Sequence, residues 1–530
     1  MALLIHNELE AMHRYIDTFL LSKNEKKAYA LIFLSSCLFS LSIIQSNILY
    51  VDDYRRVLTG GTYWSTDGRM LSTFLSLLLQ LGDPLTDISP LPQIASIALY
   101  SLSAIYLGKA YKVNDLNLLV LSGFAFVMNP FNLQCFSYIF DSFTMGAAIL
   151  SATLAFLNLV ALTEGRFQIQ AHKIISTLSV LLLTASLLLY QSATSIYLAA
   201  FSLYLLLALI QGEHIRTSIA NCIHFLSVFT LSLPLYVLVN WFYHDRSNDS
   251  KFELYSLFDL PKIFTINLPE AWLTVYKFLG NGSLLLVSLS LIGIFFAGLL
   301  IVFCQEKPLL NKKKVYVVIW SSLIGLYILL AILSIQGLAL ILMKPLLLPR
   351  TYMGANMLGI ICFILSILFR ESKIKRSILI VFFCTLCLLF GNVSLTLGNL
   401  YHYQSIQNEM VSTMLISDIE SELPNVSGRE EDLKIEMSGS LKPGELLLKG
   451  YEKYPILRKI IYQIRGDSFH SYLQLKSYGL SSLKFIRSDN VGQELSPQES
   501  KNIANNQFYS IYYIESESKF IVRFKDRRDA

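Results

Sequence analysis

Eleven apolar runs, most close to the twenty residues that cross a hydrocarbon core of roughly 30 Å, constrain this chain more than any other feature. They lie at 28–49, 91–109, 116–131, 142–163, 174–190, 192–210, 219–241, 283–304, 315–336, 351–369 and 378–397. With 54% hydrophobic and 15% charged residues, an array of soluble domains is excluded. The chain reads as a polytopic α-helical membrane protein with about 11 transmembrane helices. The apolar stretch 70–81 is shorter and sits between Arg69 and Asp83. It reads as an interfacial helix within an outer loop at 50–90. The first span follows a 27-residue polar leader without a small-residue cleavage site, so it reads as a retained anchor.

Charge divides the chain further. Residues 1–397 carry 26 basic and 20 acidic groups, and residues 398–530 carry 17 and 18. Leader (1–27), membrane domain (28–397) and polar tail (398–530) are therefore the expected divisions. The net charge of +5 is spread along the chain, so nucleic acid is not an expected partner. Lys and Arg in short loops stay on the cytoplasmic side. One set of loops carries Arg14, Lys23, Lys26, Lys27, Lys109, Lys112, Arg166, Lys173, Arg216, Lys307, Lys312 to Lys314, Arg370, Lys373, Lys375 and Arg376. The other set, with its interfacial segments, collects Asp52, Asp53, Asp67, Asp83, Asp87, Asp141, Asp245, Asp249, Glu253, Asp259 and Glu270. The N-terminus is then cytoplasmic, and an odd number of spans puts the tail outside.

The tail mixes β-like runs at 433–437, 509–514 and 520–524 with a helical stretch near 452–464, as in a small α/β domain. Its Tyr451, Tyr454, Tyr462, Tyr472 and Tyr478 are either core aromatics or stacking platforms for a sugar.

Candidate chemistry clusters on the outer side. Tyr50-Val51-Asp52-Asp53-Tyr54-Arg55-Arg56 follows the first span and continues through Trp64, Asp67, Gly68 and Arg69. Two crowded carboxylates can raise one another's pKa toward that of a general base. Arg55, Arg56 and Arg69 carry donors suited to phosphate oxygens; the alternative is mutual pairing in a solvated loop. Asp141, in Ser137-Tyr138-Ile139-Phe140-Asp141-Ser142, is either a site residue or a cap for the next helix. Tyr190-Gln191 lies at an outer turn, and Lys344, Arg350 and Tyr352 at the end of another span. That last group fits an anionic headgroup or snorkelling anchors equally well.

All seven cysteines lie in the membrane half, so the tail has no disulfide framework, and Cys384-x-x-Cys387 inside an apolar run reads as buried thiols. His470 and the other histidines are isolated, with no zinc spacing. No Walker loop or GxGxxG precedes a helix. No cofactor is indicated; a divalent cation between the carboxylates is chemically conceivable but not called for by the sequence.

The Asp-Asp followed by Arg (Asp52, Asp53, Arg55 or Arg56), Trp64 with Gly68-Arg69, Tyr138 with Asp141-Ser142, Tyr190-Gln191 and Pro349-Arg350 occur in this order over about 300 residues. Together they resemble the serotype-converting O-antigen glucosyltransferases of bacteria and their prophages. The resemblance implies a GT-C type glycosyltransferase in the bacterial inner membrane with a periplasmic active site. It also implies undecaprenyl-phosphate glucose as donor, the O-antigen of lipopolysaccharide as acceptor, and a separate donor-loading glucosyltransferase and flippase as functional partners. In that reading Asp52, Asp53 or Asp141 is the base and Arg55, Arg56, Arg69, Tyr190, Gln191, Lys344, Arg350 and Tyr352 bind donor phosphate or substrate. An O-antigen polymerase or a flippase for lipid-linked sugars is the rival expectation.

Overall fold

A computed structural model describes residue 15 and residues 17–163, 169–243, 255–256, 259, 261–306, 314–425, 433–480, 483–486 and 500–525. Arg14, Arg166, Lys307, Lys312, Lys313, Asp245, Asp249 and Glu253, used above for orientation, lie outside the described residues. In chain order the helices are α1 (Lys23–Gln45), α2 (Asp52–Thr59), α3 (Met70–Gln80), α4 (Leu91–Ala110), α5 (Leu116–Val127), α6 (Leu133–Phe136), α7 (Ser142–Thr163) and α8 (Ile169–Leu189). They continue as α9 (Thr194–Ile210), α10 (Ile215–Tyr243), α11 (Leu268–Leu279), α12 (Ser283–Glu306), α13 (Lys314–Ser334), α14 (Met357–Leu368) and α15 (Lys373–Glu422).

Each of the eleven expected spans coincides with a helix, but two are not plain rods. Among the described residues nine helices are long and apolar enough to cross a membrane, and ten if the bent pair around Asn129-Pro130 is one span. That pair turns by 43°. Pro130 has no amide to donate, so the ladder must break there. Asn132 Nδ2 donates to the freed carbonyls of Phe126 (2.9 Å) and Val127 (3.2 Å) and to Asn356 Oδ1 (2.9 Å), so the break satisfies its own polar groups. Asn356 immediately precedes α14, which has only 12 residues because the chain ahead of it runs as short 3₁₀ turns.

Helices α4, α7 and α9 are buried on most of their surface, whereas α1, α10, α12, α13 and the first half of α15 present apolar faces outward. Leu231, Leu286, Leu300, Val315, Ile378 and Val381 are all more than half exposed, as lipid-facing side chains must be. Helices α1 and α15 approach closely at Gly391 and Gly398. A Cβ on Gly398 would lie 2.3 Å from Ser42, so only glycine permits the crossing. The 70–81 stretch is indeed a short helix, α3, with Phe74 and Leu78 outward and Ser72 and Ser76 inward.

Helix α15 does not stop at residue 397. It runs unbroken for 50 residues, about 75 Å at 1.5 Å per residue, and its polar half becomes one wall of the C-terminal domain. There Val411, Leu415 and Ile419 pack against Ile435, Met437, Ile511 and Val522. The domain contains β1 (Lys434–Gly439), α16 (Glu445–Lys453), α17 (Leu457–Ile460), α18 (Phe469–Ser477), β2 (Lys484–Ile486), β3 (Lys501–Asn505), β4 (Tyr509–Ile514) and β5 (Lys519–Phe524). The sheet order is β2-β1-β5-β4-β3, with β1 parallel to both neighbours and β5-β4-β3 antiparallel. Alternation sets the register: Ile435 and Met437 point inward from β1 while Lys434 points to solvent. The helical stretch expected at 452–464 divides instead into α16 and α17, because Pro455 cannot continue a helix. Helix α18 was not anticipated. Tyr451, Tyr454 and Tyr472 are core residues, while Tyr462 and Tyr478 are partly exposed.

Candidate functional site

Because successive spans alternate in direction, the ends of α1, α8 and α13 and the starts of α7, α9 and α14 meet at one end of the bundle. Helix α2 sits there, launched by Val51 at φ +44°, an unfavourable conformation for a β-branched residue. Its helical geometry separates the adjacent carboxylates. Asp53 is fully buried, while the Asp52 side chain is 40% exposed.

Asp53 accepts backbone N–H groups from Tyr50 (3.1 Å), Ile139 (3.0 Å) and Phe140 (3.4 Å), tying the start of α2 to the segment before α7. The Arg56 guanidinium lies 3.8 Å away, one helical turn on. Burial pushes the Asp53 carboxyl up to about 7, against the opposing pull of Arg56 and the amides.

Asp141 is the hub of a second arrangement. It takes Arg56 at 2.6 Å, Arg69 at 2.7 Å and the indole N–H of Trp64 at 2.7 Å. All four side chains are buried. Burial opposes ionisation of Asp141, but Arg56, Arg69 and Trp64 outweigh it and hold the carboxyl at about 2. The carboxylate is thus spent on two arginines and an indole. Arg56 also lies over the Trp64 ring at 4.4 Å, and Arg69 Nε donates to the Leu189 carbonyl at 2.7 Å. Gly68 permits the turn into this cluster: its φ is +69°, and a Cβ would lie 2.6 Å from the Tyr236 hydroxyl. Gln191 Nε2 donates to the Asp67 carbonyl (2.9 Å) and to Tyr236 Oη (3.0 Å), fastening the α8–α9 turn to the same loop.

Arg350 stands on the open side. Its backbone N–H donates to Gln134 Oε1 (2.9 Å), Gln134 Nε2 donates to Tyr50 Oη (2.8 Å), and the Tyr50 hydroxyl donates to the Ile460 carbonyl (2.6 Å) in the C-terminal domain. The guanidinium lies over the Tyr138 ring at 4.7 Å and donates to its hydroxyl. Tyr190 Oη reaches the Arg350 carbonyl at 3.3 Å. Among the described residues no carboxylate is within ion-pair distance of the Arg350 guanidinium, so its charge is not neutralised as those of Arg56 and Arg69 are.

Eight of the eleven residues singled out from sequence therefore meet: Asp52, Asp53, Arg56, Arg69, Asp141, Tyr190, Gln191 and Arg350. Three do not. Arg55 is exposed and lies over Tyr63, 3.6 Å from its ring centre. Lys344 is exposed, with no contact to the cluster among the described residues. Tyr352 is fully buried inside the bundle against Phe131 and Phe278. Sequence reasoning missed Gln134, whose only signal was an amide in a broken apolar helix, and His470, whose imidazole Nε2 lies 3.7 Å from Asp52 Oδ1. Nothing local could have linked residues so far apart in the chain. Among the described residues no group of three or more His, Cys, Asp or Glu side chains is placed to hold a metal ion.

Residues 41–361 match the model of the glucosyl transferase GtrII family. The match takes in the whole cluster from Tyr50 to Arg350 and ends before α15 and the C-terminal domain. The chain is also 30% identical over 123 residues to an uncharacterised 55.3 kDa protein encoded 5′ of gtrB in Salmonella phage P22. That alignment covers 22% of this chain and a quarter (25%) of the phage protein. No solved structure matches the chain.

Proposed function

The chain belongs to the glucosyl transferase GtrII family, polytopic membrane glycosyltransferases of the GT-C type, and from that premise we propose that it glucosylates the O-antigen repeat of lipopolysaccharide, with Asp52 as general base. The donor is glucose carried on undecaprenyl phosphate, and the site end of the bundle faces the periplasm of the bacterial inner membrane. A nucleotide sugar is not supplied on that side, and no nucleotide-binding loop is present in the sequence. The basic residues Lys109, Lys112, Lys373, Lys375 and Arg376 lie at the opposite end of the bundle, which supports this orientation.

The observation that carries the reading is the division of labour between neighbours. Asp53, Asp141, Arg56 and Arg69 are buried and paired with one another, leaving Asp52, 40% exposed, and the partly exposed Arg350 as the carboxylate and guanidinium open to a substrate. An acceptor hydroxyl loses its proton to Asp52 as its oxygen attacks the anomeric carbon. The bond from that carbon to the phosphate oxygen breaks, and the electron pair leaves with the phosphate. Arg350 stabilises the charge that develops there. A single displacement inverts the anomeric centre. No step is assigned to a metal.

Mass spectrometry of the O-antigen repeat tests this in cells that supply the lipid-linked donor, comparing wild type with Asp52→Asn at matched expression. A repeat heavier by one hexose in wild type and unmodified in the variant is expected. Changed chain length at constant repeat mass, or accumulated lipid-linked intermediates, would instead identify a polymerase or flippase.

A further inference from the structure

The GtrII match ends before the C-terminal domain, yet that domain reaches the site. Helix α18 packs on α2, and Tyr54 of α2 is part of the domain's own core, together with Leu415, Leu473 and Phe520. The contact brings His470 Nε2 to 3.7 Å from Asp52 Oδ1, with both side chains about one third exposed (33% and 40%). A second tie holds this geometry: the Tyr50 hydroxyl donates to the Ile460 carbonyl while accepting from Gln134, which in turn accepts the Arg350 amide. One strap from the tail thus touches the segment that carries Asp52 and, through one glutamine, the segment that carries Arg350.

We propose that His470 is a positioning residue that orients Asp52 and receives from it the proton taken from the acceptor hydroxyl. This rests on Asp52 being the base. The hydroxyl proton passes to an Asp52 oxygen as the new glycosidic bond forms, then to neutral His470 Nε2. The imidazole, whose side chain is one third exposed, returns it to water, so Asp52 is ionised again for the next turnover. Imidazole suits the task because it ordinarily exchanges protons near neutrality. Other ionisable groups near the pair include Asp53, Tyr54 and Arg56 of α2, Tyr50, Tyr138 and Arg350 from the bundle, and, from the tail and α15, Tyr462, Tyr478, Glu409 and the mutually paired Arg465 and Asp467. Of these only Asp53 has been placed near neutrality, and it is enclosed by backbone amides.

The test uses the purified full chain in detergent, with synthetic polyprenyl-phosphate glucose and lipopolysaccharide, and follows hexose transfer across about pH 5 to 8. For His470→Gln, kcat is expected to fall by about 10²-fold with the donor KM within twofold, and the acid limb governed by the imidazole to disappear. For His470→Gly, added imidazole is expected to restore transfer several-fold. That comparison is made within one protein, so a folding defect cancels. A His470→Gln enzyme with wild-type kcat and pH profile, or a slow His470→Gly enzyme unmoved by imidazole, overturns the proposal. Asp52→Asn separates the two levels: an active Asp52→Asn enzyme sinks the general-base reading itself, whereas an inactive one beside a normal His470→Gln enzyme sinks only the role of His470.

Discussion

Two charged groupings lie side by side at one end of the helical bundle, and they are built from the same residue types for opposite purposes. In the inner one, Asp141 binds Arg56, Arg69 and Trp64 with every side chain buried, and Asp53 is wrapped by three backbone amides. In the outer one, Asp52, His470 and Arg350 keep contact with solvent; His470 stands 3.7 Å from Asp52, and Arg350 has no carboxylate partner among the described residues. The first fastens α2, the α3 loop, the start of α7 and the end of α8 into one unit. The second is what such a unit can hold in place. Ion pairs out of water are costly to break and offer nothing to a substrate, whereas a half-exposed carboxylate beside an unneutralised guanidinium does.

The comparison can be broken most severely from its inner side. Asp141→Ala leaves buried Arg69 without a carboxylate and Arg56 with only Asp53, 3.8 Å away, and should cost about 3–5 kcal/mol of stability, read as loss of monodisperse protein and a lowered thermal midpoint in detergent. Normal stability would mean that the inner network is not a scaffold. Arg350→Ala should behave in the opposite way, lowering hexose transfer about 10²–10³-fold with an unchanged thermal midpoint. A collapse of stability instead would move Arg350 to the inner group.

Asp53 offers a pH-dependent test of the same contrast. Its folded value of about 7 lies above the ordinary Asp value of about 4, so the folded protein holds this proton more tightly than the unfolded chain. Its contribution to stability is therefore most favourable below about pH 4, declines as pH rises toward 7, and is constant above that. Thermal midpoints measured over this window should lose that component of their slope in Asp53→Asn, while Asp52→Asn retains it. The smallest effect is expected outside both groupings: Lys344→Ala should alter stability by less than about 0.5 kcal/mol and transfer by less than twofold. A larger loss of transfer would show that an exposed cation contributes to donor binding after all.

Much of this organisation was legible in sequence. All eleven apolar runs coincide with helices, although among the described residues only nine, or ten with the bent pair, are long and apolar enough to cross a membrane, and alternation along the chain was enough to bring Asp52, Asp141, Tyr190 and Arg350 to one end. The contrast between Asp52 and Asp53 was within reach as well. Reading residues 50–56 as a loop concealed it, whereas a helix starting at Asp52 sets Asp53 and Arg56 on one face, an i, i+3 pair, and turns Asp52 and Arg55 away. The three candidates that fell outside the cluster, Arg55, Lys344 and Tyr352, were chosen for chemical type at a span boundary, and chemical type does not report direction. Tyr352 shows this most plainly: it follows Arg350 by two residues in a 3₁₀ turn and ends among Phe131 and Phe278 instead of at the surface.

The apolar runs by themselves determined that this chain lies in a membrane, how its spans are ordered and which loops share an end, because each depends only on local hydropathy and on counting crossings. Tertiary structure alone decided which carboxylate is left open, which arginines are neutralised and that a histidine from the tail lies against Asp52. Burial and ion pairing are set by what packs on a side chain from elsewhere, and here the partners come from loops separated by dozens to hundreds of residues.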